Sequence, residues 1–96
     1  MRKNQYAVVT THSFTEKTEC VLFEDYERAK AYLHWLWEDY YNEEIANASV
    51  LIEEECYHED EYAIVTWADG CKTEFALAEV YEAKEDFQNI NWKRYL

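Results

Sequence analysis

Four Trp, nine Tyr and four Phe are spread through 96 residues that also carry 21 acidic and 9 basic side chains. This pairing of rings with anionic charge is what most limits how the chain can fold. Acidic chains that stay disordered are poor in aromatic residues, because they lack the apolar surface that offsets the entropy of ordering. Here that surface is abundant, since each aromatic side chain removes about 150–250 Å2 from water when buried. Pro is absent and Gly occurs once, so no long linker is expected. The expectation is one compact domain over residues 1–96, with a formal charge of −12 displayed on its surface.

The first elements follow from residue type. QYAVVTTHSF (5–14) is rich in β-branched and aromatic residues and reads as a strand. Ser13 to Lys17 form a polar turn, and Cys20-Val21-Leu22-Phe23 return as a second strand, giving a hairpin. Asp25 then offers an N-cap. Beyond it Ala29, Leu33, Leu36 and Tyr40 recur at steps of three or four, one stripe of a helix, flanked by Tyr26, Tyr32 and Trp37. This predicts a helix from about 25 to 43. Ile45 falls on the opposite face if the helix continues, which places the end before it, although no Gly or Pro marks the stop.

Two helical aromatics lie off the stripe. Trp35 projects about 100° from Leu36 on one side and Tyr41 about 140° on the other. Either Trp35 lies under a loop or the C-terminal tail, or it is an exposed anchor for a partner, a role in which Trp and Tyr are favoured.

Val50-Leu51-Ile52 open a third strand that is expected to run on through Glu53-Glu54-Glu55-Cys56-Tyr57. His58 to Glu61 form a turn, and Tyr62 to Trp67 a fourth strand. Asp69-Gly70 is a two-residue hairpin signal. Lys72 to Tyr81 make a fifth strand, with Phe75 and Leu77 on one face and Ala76, Ala78 and Val80 on the other. One short helix within Glu85–Leu96 is expected to carry Phe87, Ile90 and Trp92. The expected fold class is α+β, two-layer: an antiparallel sheet of about five strands (ββαβββ) covered by one long helix.

Several function classes lose support from the residues present. No run of 18 apolar residues exists, so no membrane helix is expected. Met1-Arg2-Lys3-Asn4 leads straight into Tyr6-Ala7-Val8-Val9 without the long apolar region of a signal peptide, and the protein is read as cytoplasmic. Cys20, Cys56 and Cys71 are widely spaced and odd in number, the pattern of reduced thiols rather than of a disulfide framework. His12, His34 and His58 are scattered, and neither they nor the neighbouring Cys56 sit in a nucleophile motif, so no catalytic residue and no enzyme activity are assigned. His58 with Glu55, Cys56, Asp60 and Glu61 offers mixed donors, but no CxxC, HExxH or EF-hand pattern orders them, so no metal and no cofactor are assigned. Direct binding of nucleic acid is opposed by the sign of the charge; Arg2-Lys3 and Lys93-Arg94 are too few for a basic footprint.

What remains is the surface. Residues 53–61, EEECYHEDE, hold six carboxylates: Glu53, Glu54, Glu55, Glu59, Asp60 and Glu61. On a strand Glu53 and Glu55 share a face about 7 Å apart. Duplex DNA presents one negative charge per roughly 1.7 Å of axis, so a rigid row of carboxylates can compete for the same Lys and Arg side chains. Such binding is fast and sensitive to salt. The competing reading is a solvated face that serves solubility.

The segments QYAVVTTHSF (5–14), VLFEDYERAKAYL (21–33) and ECYHEDEYAIVTW (55–67) resemble small acidic proteins of bacterial phages and mobile elements, of anti-CRISPR or DNA-mimic type. The resemblance implies a protein-binding inhibitor of a basic nucleic-acid-binding protein, a CRISPR effector nuclease among the candidates. The contact is expected on the six carboxylates of 53–61, with Trp35 or Tyr41 as aromatic anchor. The alternative is a homo-oligomeric accessory, regulatory or antitoxin-like domain that associates through its aromatic surface and whose acidic face is merely solvated. The oligomeric state is left open.

Overall fold

The N-terminal strand β1 (Lys3–His12) alternates Tyr6, Val8, Thr10 and His12 with Ala7, Val9 and Thr11, so it offers an apolar or hydroxyl side chain to both faces of a sheet. That two-sided pattern suits an interior position, and β1 takes one. It pairs antiparallel with β2 (Thr18–Phe23) on one side and with β5 (Lys72–Tyr81) on the other. In this computed structural model, which describes residues 3–96 with side chains from Gln5 onward, the order across the five-stranded antiparallel sheet is β2-β1-β5-β4-β3. The polar start at Met1 and Arg2 lies outside the described residues. β4 (Tyr62–Thr66) and the two-residue β3 (Tyr57–His58) complete the sheet. The β1–β5 pairing thus joins the N-terminal hairpin to the C-terminal meander. β1 ends at His12, two residues earlier than expected, where the chain turns through Ser13 and Phe14 and the Thr15 N–H donates back to the His12 carbonyl at 3.4 Å.

The long helix α1 (Tyr26–Ala46) starts where the sequence places it. The Asp25 backbone is extended, and its carboxylate accepts from the Glu27 N–H at 3.2 Å. Its end corrects the expectation: α1 passes Tyr41 and Ile45 and stops at Ala46. The stop is a Schellman motif, with Ser49 N–H donating to Glu44 C=O at 3.1 Å and Ala48 N–H to Ile45 C=O at 3.0 Å. The left-handed residue this motif needs is Ala48, at φ 60°. Ala stands where Gly or Asn is the usual signal. Ile45, carried on the outward face, is correspondingly exposed.

α1 covers one face of the sheet. Val8, Ala63, Val65, Phe75 and Leu77 from the strands close on Ala29 and Leu33. These fully buried side chains are mostly small. The aromatics ring them rather than fill the centre: Tyr6, Phe23, Tyr26, Tyr32, Trp37, Tyr40, Tyr41 and Trp67 all pack against the cluster from its edge. The Asp69-Gly70 signal does mark the β4–β5 turn, but the loop has three residues rather than two: Ala68, Asp69 and Gly70 lie between Trp67 and Cys71, whose pairing is closed by Trp67 N–H to the Cys71 carbonyl at 2.9 Å, with Gly70 at φ 94°.

No helix packs on the opposite face among the described residues, although Ala7 at its middle is itself buried. Across it Leu22, Ala7 and Ala78 form one row, and Cys20, Val9, Ala76 and Tyr62 the next. After β5 the chain makes not one helix but a single turn, α2 (Glu85–Gln88), and a 3-10 turn Trp92–Tyr95. Phe87, Ile90 and Trp92 are exposed, as is every residue from Tyr81 onward. The Asn89 and Asn91 steps between them break the helical run. The molecule is long and thin, with extents of 53 × 32 × 18 Å.

Candidate protein-binding surface

The acidic segment does not form the continuous strand that its alternation suggested. Leu51 bridges to Trp67, and the Ile52 N–H donates to the Thr66 carbonyl at 2.9 Å, so residues 50–52 lie along the end of β4. Tyr57 and His58 then pair with Ile64 and Ala63. Between these pairings the chain has more residues than the ladder can take, and Glu53–Glu55 leave it as a 3-10 turn. The physical reason is the alternation itself. A strand sends successive side chains to opposite faces, so one of three consecutive carboxylates is driven toward the core, at high desolvation cost. In the turn all three Glu side chains are exposed. The expected pair Glu53 and Glu55 on one strand face is therefore not present.

The turn is bolted to β4 through Thr66, which is buried. The Thr66 hydroxyl donates to the Glu55 carbonyl at 3.0 Å, and its N–H donates to Cys56 Sγ at 3.3 Å. Burial pushes the Cys56 thiol up, and the Glu53, Glu55 and Glu54 charges add to the effect against the opposing hydrogen bond from Thr66. Cys56 is consequently a hydrogen-bonded structural thiol, and with Cys20 and Cys71 it is free.

Glu59, Asp60 and Glu61 sit at the other end of β4, in the tight turn leading into it. The Glu59 N–H bonds the Tyr62 carbonyl, and the Leu77 N–H donates to the Glu61 carbonyl at 2.9 Å. The helix holds this turn from above. The Tyr26 hydroxyl donates to Glu61 Oε2 at 2.8 Å, and His34 Nε2–H donates to the Glu59 carbonyl at 3.0 Å. The Tyr26 phenol is raised, first by that carboxylate bond. The six carboxylates are thus two exposed groups of three, one at each end of a five-residue strand, and not a single row. Among the described residues the only ion pair is Lys30–Glu27, at 3.4 Å. No Lys or Arg among them neutralises 53–61.

The two candidate anchors separate. Tyr41 stacks on Trp37 with ring centres 5.0 Å apart and planes 11° from parallel. Its phenol is raised by burial and then by Glu53 and Cys56, so it stands beside the acidic turn. Trp35 is 60% exposed, which removes the expectation of a covering loop or tail. It leans on Tyr32, which in turn meets Phe23 of β2. Trp35 therefore lies on the other flank of α1, in a shallow depression with Glu38, Asp39 and Asn42.

Two groupings were not visible in the sequence. His34 and His58, 24 positions apart in the chain, meet with ring centres 4.6 Å apart, and His58 also touches Trp37 at 4.9 Å. At the far end of the sheet Phe14, Tyr40 and Trp67 converge with Glu44, Asp69 and Cys71 around an open depression. Both depend on which strands become neighbours, and no local spacing encodes that. Among the described residues no three His, Cys, Asp or Glu side chains converge as a metal site, and no helix is long and apolar enough to cross a membrane. Comparison with protein-family models, with curated proteins and with solved structures finds no match for this chain.

Proposed function

We propose that this protein is a binding inhibitor of the kind carried by phages and mobile elements, acting in the bacterial cytoplasm on a basic, nucleic-acid-handling effector such as a CRISPR nuclease. The observation that carries the reading is the state of residues 53–61. Their backbone is fixed by bonds from Thr66, His34 and Leu77, and the Glu61 carboxylate is held by the Tyr26 hydroxyl. Their six carboxylates are exposed, and none is ion-paired among the described residues. Fixed unpaired charge of one sign steers a cationic partner and sets its orientation. Tyr41 supplies an aromatic contact beside the Glu53–Glu55 group, and Trp35 marks a separate contact on the β2 flank.

The test is an affinity capture from host lysate at low and high salt, with the triple variant Glu53→Lys, Glu55→Lys, Asp60→Lys alongside. The expected result is a nucleic-acid-handling protein retained at low salt, released at high salt and lost by the variant. Equal retention by the triple variant removes the patch from the interface.

The uncovered face of the sheet favours a second reading, a homo-oligomeric accessory or antitoxin-like domain. The rows through Ala7 and Val9 carry no charged side chain, so a second copy can meet them without bringing like charges together. Light scattering on a sizing column separates the two. A dimer that persists in high salt supports the oligomer, and a monomer supports the inhibitor.

A further inference from the structure

The corner formed by Phe14, Tyr40 and Trp67 has no role in the acidic surface just described. Phe14 and Trp67 meet nearly at right angles, with ring centres 5.6 Å apart and planes at 83°. Tyr40 and Trp67 do the same, at 6.1 Å and 82°. The rings are braced from behind. His12 contacts Phe14 at 5.1 Å and bonds Thr73 Oγ1 through Nδ1 at 2.7 Å, while Tyr40 packs edge-on to the buried Phe75. Phe14 is nevertheless 54% exposed, a large apolar side chain left open at a turn.

Two carboxylates share this depression. Glu44 accepts from the Ser49 hydroxyl at 2.7 Å, and Asp69 accepts from the Cys71 N–H at 2.9 Å. Both are held in place by neutral donors, and neither has a cationic partner among the described residues. The depression is open and about 470 Å3 in volume. An apolar occupant would strip water from both acids without compensation. A cation satisfies the rings and the acids together.

We propose that this corner is a receptor for an arginine side chain. Guanidinium is favoured over ammonium because the depression is open. A site that only partly excludes water suits a weakly hydrated planar cation that stacks on rings and pairs with carboxylates in two directions. A compact ammonium keeps its hydration there and gains less. The arginine is one displayed by the basic partner proposed above, and the inference rests on that reading for the source of the ligand. The chemistry of the corner itself is testable with no partner present.

The probes are the blocked amino acids Nα-acetyl-arginine N-methylamide, its lysine counterpart, and the citrulline counterpart, which has nearly the same shape but no charge. Each is titrated into the 15N-labelled protein, following the Trp67 indole N–H. The expected result is a saturable shift with arginine, at least about threefold weaker binding with lysine, and none with citrulline. Glu44→Gln with Asp69→Asn should remove the response while the rest of the spectrum stays in place. Phe14→Ala, at an exposed turn, should weaken it without unfolding the protein. Absence of a saturable arginine shift overturns the proposal, as does an equal response to citrulline. Lysine binding as tightly as arginine overturns the guanidinium assignment. The Glu53, Glu55 and Asp60 reversal should leave the titration unchanged, so failure of the acidic patch and failure of this receptor are read separately.

Discussion

The indole of Trp37 donates to the main-chain carbonyl of Ile64 at 2.9 Å, tying the middle of α1 to β4. The same ring stacks on Tyr41 and touches His58, so one side chain holds the helix, the short β3 and the acidic turns in register. Trp37→Phe keeps a ring but deletes the donor. The expected loss is about 0.5–1.5 kcal/mol, the net worth of one hydrogen bond, seen as a lower urea midpoint with an unchanged slope.

The helix stop makes an unusual forecast, a stabilising glycine. Ala48 occupies the left-handed region at φ 60°, where an L side chain costs roughly 1–2 kcal/mol. Ala48→Gly removes that strain, and part of the gain is returned as extra freedom of the unfolded chain. A net increase of about 0.5–1 kcal/mol is expected in thermal or urea unfolding. Ala48→Val should do the opposite.

Reversal of Glu53, Glu55 and Asp60 to Lys changes the formal charge from −12 to −6. All three side chains are exposed and none is ion-paired among the described residues. Stability should change by no more than about 0.5 kcal/mol, while retention on an anion-exchange column falls steeply and capture of the proposed basic partner is lost. A circular dichroism melt beside the binding assay checks both halves.

Alkaline unfolding should bear the mark of Tyr62. Its phenol is pushed up to about 12, first by burial and then by the hydrogen bond it donates to Glu74 Oε2 at 2.9 Å and by that carboxylate's charge. An unfolded Tyr titrates near 10. The folded state therefore holds its proton longer. The stabilisation is fully present below pH 10 and is lost as pH rises through about 12. Tyr62→Phe should flatten the stability profile in that window and leave neutral-pH stability lower by about 0.5–1.5 kcal/mol. Urea midpoints measured across the alkaline range are the readout.

Leu33 and Trp35 are two positions apart on α1 and should behave oppositely. Leu33 is fully buried, so Leu33→Ala should cost about 2–5 kcal/mol. Trp35 is 60% exposed, and Trp35→Ala should cost about 1 kcal/mol or less. If Trp35 anchors a partner, only the second variant separates binding from folding.

The parts of this fold that could be read from the chain are those fixed by neighbours in sequence. Asp25 ahead of the Ala29–Leu33–Leu36 stripe sets the start of α1, and Asp69-Gly70 sets the β4–β5 turn. The misreadings have local physical causes. Ala48 hides the helix stop because it does the work of a glycine. Glu53–Glu55 leave the ladder because alternation would bury a carboxylate. The distribution of the candidate site was less legible still. Tyr41 feels the charge of Glu53 while Trp35 lies on the other flank of the same helix against Tyr32, and only the sheet order decides which flank meets β3.

The bare face of the sheet gives the large anionic excess a second consequence, in colloid chemistry. The exposed Leu22, Cys20 and Ala78 make that face sticky, and mutual repulsion among molecules of charge −12 keeps such faces apart at neutral pH. Acidification toward the isoelectric point near 4.5 takes that repulsion away. Turbidity should then rise while the far-ultraviolet spectrum still reports a folded chain, so the pH at which this protein precipitates is set by its uncovered strands rather than by loss of its fold.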